Sequence, residues 1–223
     1  MIELSICIAT YNRGRYISET LDSILDQIEP GVELIVVDGA SCDNTPVILA
    51  EYQSRYPEIS YYREQENSGV DRDYDKAVGY ARGKYCWLMS DDDMLKPGAI
   101  KVLLEAFKQN YSFIFVNTEV RFSDFSKLLL EKRFLLDKDR IYKPEAYREL
   151  FVDTAKQLSF IGLVVVKRDI WLERNRQAYY GSFFIHMGII FQAPPPENVL
   201  VIAEPQVIIR YSNASWTSRA FEI

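Results

Sequence analysis

Two apolar patterns alternate through the first half of the chain. Leu4–Ala9, Leu34–Val37, Tyr85–Met89 and Phe113–Val116 are short, nearly unbroken apolar runs, and Ile59–Tyr62 is a weaker one. Runs of this length without a polar face read as strands buried on both sides. Between them the spacing changes to three and four. Arg15–Gln27 places Ile17, Leu21, Ile24 and Leu25 on one face, and Thr45–Tyr56 has Asp43 or Asn44 as a cap with Pro46 in its first turn. Asp73–Ala81 and Pro97–Asn110 continue the series. Strand and helix in strict alternation, joined by short connections, predict a parallel sheet with helices on both faces.

The alternation fades after about residue 120. Phe122–Lys143 mixes leucines and charge without a period, Gly162–Val166 and Val199–Ile209 read as strands, Trp171 falls in a short helix, and Pro194-Pro195-Pro196 marks a rigid loop. No internal repeat or low-complexity tract is visible. The expected organisation is a single domain over 1–223, with a nucleotide-binding half at 1–118 and an acceptor-binding half at 119–223.

The polar residues that follow the strands carry the chemistry. Thr10-Tyr11-Asn12-Arg13-Gly14 follows the first strand, and Asp38 and the segment to Thr45 follow the second. Glu66-Asn67-Ser68-Gly69 and Asp71-Arg72-Asp73 follow the third, and Ser90-Asp91-Asp92-Asp93 follows the fourth. In an open α/β sheet the carboxyl ends of the strands line one crevice, so these segments are expected to meet. Three adjacent carboxylates repel one another, and such a hard-oxygen cluster suits a divalent metal carrying phosphate. An acidic loop or helix start remains the plain alternative.

Composition narrows the partners. A net charge of −6 argues against nucleic acid. The charge is uneven: residues 64–93 hold eight acids and four bases, whereas 121–148 hold eight bases and five acids. The basic stretch leaves open a peripheral contact with an anionic membrane as well as an ordinary solvated surface. Cys7, Cys42 and Cys86 are odd in number and form no CxxC pair, which fits a reducing compartment. Glu3 breaks the N-terminal apolar stretch, and no run has the length of a membrane span, so a cytoplasmic location is expected. No GxGxxG follows a strand, which disfavours dinucleotide chemistry, and the first strand lacks the glycine- and base-rich loop of a nucleotidyltransferase.

Taken together, Ser5-Ile6-Cys7-Ile8-Ala9-Thr10-Tyr11-Asn12-Arg13, Val36-Val37-Asp38-Gly39-Ala40-Ser41-Cys42-Asp43-Asn44-Thr45, Asn67-Ser68-Gly69, Ala81-Arg82-Gly83-Lys84-Tyr85 and Ser90-Asp91-Asp92-Asp93 resemble a family 2 glycosyltransferase of the GT-A fold over residues 2 to about 110. Gly69–Lys76 resembles the branch that builds bacterial surface polysaccharides and O-antigens. The resemblance implies a Rossmann-like nucleotide-binding core, a mostly parallel mixed central sheet flanked by helices, and transfer of a sugar from a nucleoside diphosphate donor to a glycan or lipid-linked glycan acceptor, by inversion. It implies that Thr10, Tyr11, Asn12, Arg13, Asn67 and Gly69 line the nucleotide pocket and that Asp38 accepts a hydrogen bond from the base; an Asx turn is the competing role for Asp38. Arg72 would reach the diphosphate. Asp91 would touch ribose or metal, Asp93 would ligate Mn²⁺ or Mg²⁺, and Asp92 takes either role. Asp43 and Asn44 resemble a structural helix cap.

An inverting transfer needs a base for the acceptor hydroxyl. The family commonly supplies it from a Glu-Asp or Asp-Asp pair in the second half, and no such pair follows Asp93 here. His186, the single histidine, and Asp153 are the candidates. His186 has two other readings, a packed core residue and a late metal ligand. Trp171, Trp216, Tyr179 and Tyr180 are candidate sugar-stacking rings, with core packing the commoner role for each. The missing pair motivates an alternative function, a catalytically impaired nucleotide-sugar-binding subunit of a polysaccharide assembly complex. Peripheral contact with the inner membrane and homo-oligomerisation are both compatible with these expectations.

Overall fold

A computed structural model describes residues 1–211. Its centre is a ten-stranded sheet in the order β3-β2-β1-β4-β9-β6-β10-β5, with β7 on β6 and β8 on β10. The strands are β1 Leu4–Thr10, β2 Val32–Asp38, β3 Ile59–Arg63, β4 Tyr85–Met89, β5 Met94–Leu95, β6 Phe113–Arg121, β7 Leu128–Leu130, β8 Arg140–Tyr142, β9 Val164–Lys167 and β10 Val199–Arg210. The helices are α1 Ile17–Leu25, α2 Thr45–Arg55, α3 Val70–Tyr80, α4 Ala99–Ala106, α5 Tyr147–Thr154, α6 Arg168–Glu173 and α7 Ile185–Phe191. Among the described residues no helix is long and apolar enough to cross a membrane.

The period of two along each strand divides the core between the faces. Leu4, Ile6, Ile8, Trp87, Met89, Ile114 and Val116 pack with Ile17, Leu21 and Ile24 of α1 and with Ile100 and Leu103 of α4. Cys7, Ile35, Val37, Leu88, Phe113 and Phe115 pack on the other face with α3, α6 and α7 through Tyr74, Ala77, Val78, Trp171, Ile185 and Ile189. β1 to β4 are parallel. The parallel pattern of the first half breaks at β9, which is antiparallel to both β4 and β6 and therefore sets those two in the same direction, giving the mostly parallel mixed sheet that the resemblance implies. Burial on both faces dictates an apolar run whichever way the strand points, so the sequence of β9 carries no directional signal. The aperiodic 122–143 stretch supplies the two short antiparallel additions, β7 and β8.

Ala81-Arg82-Gly83-Lys84-Tyr85 lies at the opposite end of the strands from the acidic triplet and is structural. Glu33, 2% exposed, sits beside Ser5 in register and accepts from Ser5 Oγ (2.7 Å), the Arg82 N–H (2.7 Å) and the Arg82 guanidinium (2.6 and 2.8 Å). Gly83 donates to Ser5 Oγ (2.9 Å), and a Cβ there would come within 2.6 Å of the Ser5 backbone nitrogen. Only glycine lets the chain enter β4 so close to β1.

Breaking this cluster should be asymmetric. Glu33→Ala strands the buried Ser5 hydroxyl and the Arg82 N–H and should cost about 2–3 kcal/mol in urea denaturation. Arg82→Ala removes a guanidinium side chain that is 71% exposed and should cost less than about 1 kcal/mol.

Candidate active site

The β1–α1 and β2–α2 loops are joined bond by bond. Asn12 N–H donates to Ser41 Oγ (2.8 Å), Cys42 N–H to Asn12 Oδ1 (2.7 Å), Arg13 N–H to Thr45 Oγ1 (2.9 Å), and Gly14 N–H to Asp43 Oδ2 (3.0 Å). Asp43 Oδ1 also accepts from Thr45 N–H (2.9 Å) and Thr45 Oγ1 (2.5 Å), so the Asp43 carboxylate is a loop fastener, as expected. Asn44 occupies the cap position of α2 without a side-chain cap bond. Asn12 and Ala40 take positive φ, 55° and 64°, which turns both loops toward one crevice.

Asp38 is wholly buried at the end of β2. Its Oδ1 accepts from Ser41 N–H (2.8 Å), its Oδ2 accepts from Tyr61 OH (3.0 Å), and Arg63 lies 3.9 Å away. The Ser41 contact is the turn-forming role weighed for this residue, and the carboxylate keeps lone pairs beyond these two bonds. Burial and the neighbouring Asp38 charge raise the Tyr61 hydroxyl well above its ordinary pKa, so Tyr61 stays a proton donor to Asp38.

The acidic triplet turns inward. Asp91, Asp92 and Asp93 are 8%, 9% and 2% exposed. Arg13 from the first loop reaches Asp91 at 3.4 Å and Asp92 at 3.3 Å. Asp93 accepts from Ser90 Oγ and, through Oδ1, from the Arg210 N–H (2.6 Å). Burial and the charge of Asp92 push Asp91 up to about 7 against the pull of Arg13, and burial with the same neighbour holds Asp93 well above the carboxylate range. Hard oxygens short of positive charge are a fitting seat for a divalent cation. Among the described residues no three His, Cys, Asp or Glu side chains are spaced as a complete metal cage, so further ligands would have to come from substrate oxygens.

Arg210 was not legible as a site residue. It ends β10, 117 positions from Asp93 in sequence. Its Nε donates to Asp92 O (2.9 Å), its other nitrogens reach Ser123 O and Glu19, and its guanidinium lies 5.0 Å from the Tyr16 ring centroid and 4.1 Å from that of Phe125. One buried cation thus joins the triplet loop to α1 and to the turn after β6.

Helix α3 starts at Val70, three residues earlier than the apolar spacing predicts, because Gly69 enters it with φ +91°. The earlier start adds Asp71, so the helix carries three acids, Asp71, Asp73 and Asp75. Asp71 and Asp75, four apart and on one face, hold the second half. Asp71 accepts from the N–H groups of Phe183 (2.9 Å) and Ile185 (3.1 Å). Asp75 accepts from Trp171 Nε1 (2.9 Å) and Tyr180 OH and pairs with Arg176 (2.7 Å). Asp73 points the other way, toward Gly39, where a Cβ would stand 2.7 Å from its Oδ2. Burial raises Asp73 to about 6, against Lys76. Asn67 Oδ1 accepts the Gly69 N–H (2.9 Å) in the same corner.

The remaining candidates separate. Thr10 is buried beside Asp91, whereas Tyr11 is 39% exposed at the mouth. Arg72 is exposed and lies 4.4 Å from the Tyr180 ring centroid. Trp171 is 0% exposed and bonded to Asp75, so it is core rather than a sugar platform. Tyr180 is tied to the same acid, and the Tyr179 ring fills the space over Gly188. Trp216 lies outside the described residues.

His186 is 1% exposed, with Nε2 2.7 Å from Leu158 O and Nδ1 buried without a partner. Burial lowers it to about 4. The ring is a strut beneath the 157–163 turn, and in this position an acceptor hydroxyl does not reach it. Asp153 is a third exposed, accepts from Tyr142 OH (2.8 Å) and pairs with Arg140 (2.9 Å). It lines a cavity of about 180 Å³ with Phe134, Leu136 and Gln157, all from the second half of the chain.

Comparison with known proteins bears on the fold and the family. Residues 5–179 match the family model Glycosyl transferase family 2. The abequosyltransferase RfbV of Salmonella typhimurium is 26% identical across 97% of this chain and 69% of its own length. The putative teichuronic acid biosynthesis glycosyltransferase TuaG of Bacillus subtilis is 33% identical across 74% of this chain and 62% of its own. Among solved structures, S. aureus TarS 1–349 in complex with UDP-GlcNAc superposes with a TM-score of 0.74 at 14% identity, over 97% of this chain and 61% of that one. The same fragment in complex with UDP gives 0.74 at 15%. The chain has the GT-A fold of these structures and spans about six to seven tenths of the two curated relatives and of the TarS 1–349 fragment.

The burial of His186 gives a pH signature. Its folded pKa lies below the ordinary 6.5, so its contribution is whole above that value and is lost as the pH falls toward 4. Relative to His186→Gln, which keeps a donor for Leu158 O and does not titrate, the wild type should lose about 2 kcal/mol between pH 7 and pH 5 in paired denaturation curves.

Proposed function

Because the chain belongs to glycosyl transferase family 2, we propose that it moves a sugar from a nucleoside diphosphate sugar to a hydroxyl of a surface-glycan acceptor, lipid-linked, with inversion at the anomeric carbon. The observation that carries the reading is the buried triplet Asp91-Asp92-Asp93 facing Arg13 at the carboxyl ends of β1 and β4, where doubly wound sheets bind nucleotides. The activities of the abequosyltransferase and the teichuronic acid relative, and the UDP and UDP-GlcNAc complexes of TarS, support the donor class and the glycan product.

In this reading the fastened loops 10–14 and 38–45 hold the nucleoside, with Asp38 and Tyr61 as the polar pair at the base end. Asp91 and Asp93 are the groups that would hold Mn²⁺ or Mg²⁺, whose charge offsets that building on the departing diphosphate. Arg13 keeps Asp91 and Asp92 oriented toward that position. Arg210 fixes the loop from behind, so the carboxylates need not reorganise during transfer. Asp153 is the better-placed base: it is partly exposed and lines a second-half cavity, whereas His186 is enclosed. The reaction is expected at the cytoplasmic face of a membrane, with peripheral attachment.

One observation favours a second reading, a donor-binding subunit without turnover. No Glu-Asp or Asp-Asp pair follows Asp93, and the single histidine is enclosed.

Titration with uridine, cytidine, guanosine and thymidine diphosphates, with and without Mn²⁺, should show metal-dependent binding of one base class. Asp91→Asn and Asp93→Ala should each abolish the Mn²⁺ dependence and weaken binding at least tenfold. Failure of every diphosphate to bind the wild type would sink the proposal.

With donor and acceptor in hand, Asp153→Asn should lower turnover about 10²-fold or more at unchanged donor Kd, while His186→Gln keeps turnover. The reverse pattern would return the base to His186. Donor binding without any turnover would favour the second reading.

A further inference from the structure

Among the described residues, the half-buried Arg133 has no carboxylate within ion-pair distance, and its backbone bonds Thr118, which pairs across Val207 of β10 with Leu95, two residues past the triplet. Arg133 follows β7 on the 131–136 segment, which folds back along β6. Its N–H donates to Thr118 O (3.1 Å) and to Asn117 Oδ1 (3.0 Å). Asn117 is wholly buried and also accepts from Phe134 N–H (2.9 Å) while its amide donates to Phe134 O (2.8 Å) and Ala203 O (2.7 Å). The backbone at Arg133 is therefore fixed by β6 and β10 together. Its guanidinium lies 5.7 Å from the Phe160 ring centroid, on the turn that His186 braces through Leu158.

The other two cations of the crevice are committed, Arg13 to Asp91 and Asp92, and Arg210 to Glu19, Asp92 O and Ser123 O. Burial draws Arg133 below the usual guanidinium range, and the charge that opposes this is Asp93. A partly dehydrated guanidinium fork on a pinned backbone, without a carboxylate of its own, matches an oxyanion ligand such as a phosphate group.

Resting on the glycosyl-transfer reading, we propose that Arg133 is a substrate-contacting residue that binds a phosphate oxygen of the donor diphosphate from the second half of the chain, opposite the acidic triplet. The nucleoside is held by the first-half loops and the diphosphate by both halves. Arg133 thus stabilises the leaving group as charge accumulates on it and makes the second half necessary for diphosphate binding but not for nucleoside binding.

The test is calorimetric titration of the full chain, in the presence of Mn²⁺, with the four nucleoside diphosphates, their parent nucleosides and inorganic pyrophosphate. Arg133→Gln should weaken the preferred diphosphate and pyrophosphate about ten- to a hundredfold and leave the nucleoside within twofold, and Arg133→Lys should recover part of the loss. Equal diphosphate affinity in wild type and Arg133→Gln would overturn the assignment while leaving the donor reading intact. Equal loss of nucleoside and diphosphate would also overturn it, because that is the mark of a purely structural arginine. A wild type that binds no diphosphate would remove the donor reading and this inference with it.

Discussion

Three neighbouring carboxylates withdrawn from water at the end of β4 set the central constraint on this molecule. Left alone, each would suffer the desolvation of burial and the repulsion of the next, which is what lifts Asp91 and Asp93 above the ordinary carboxylate range. The fold answers with groups from separate parts of the chain: the Arg13 guanidinium from the first loop, the Ser90 hydroxyl, and the Arg210 N–H from the end of the last strand. These offset the cost incompletely. The remaining shortage of positive charge is the property a cation and a diphosphate would exploit.

Helix α3 turns that local arrangement into a two-sided crevice. Asp71 and Asp75 face the second half and fasten the start of α7, Trp171, Arg176 and Tyr180, while Asp73 faces Gly39 and the first-half loops. The same helix carries Tyr74, whose hydroxyl donates to Met89 O (3.0 Å) just before the triplet. The second half and the acid loop are thus joined through one helix. His186 belongs to this scaffold: it braces the turn that carries Phe160, against which Arg133 lies.

The first half was legible because its signals are local. Buried strands, one-faced helices and strand-end polar residues each occupy a few consecutive positions, and their order fixes a crossover sheet whose carboxyl ends must converge. The positions of Thr10 to Arg13, Asp38 and the triplet at the ends of β1, β2 and β4 were legible in that way. Asp43 was correctly read as structural. Ala81-Arg82-Gly83-Lys84-Tyr85 has a different character: it marks the family through a packing requirement at Glu33, Ser5 and Gly83, far from any ligand. Tyr61, Arg210 and the scaffold roles of Asp71 and Asp75 escaped notice because an acid on an amphipathic helix, a strand tyrosine or a strand-end arginine looks the same whether its partner is water or a residue a hundred positions away.

By itself, then, the sequence determined most of the strands and helices up to Val116 and which strand ends carry acidic and polar segments, since these follow from period, local chemistry and short connections, while the family was legible through the resemblance of its motifs. Only the tertiary structure decided the direction of β9, the burial of His186, the two faces of α3 and the convergence of Arg13 and Arg210 on Asp91–Asp93. The physical reason is that these are matters of distance between side chains remote along the chain, and one-dimensional periodicity contains no such distances.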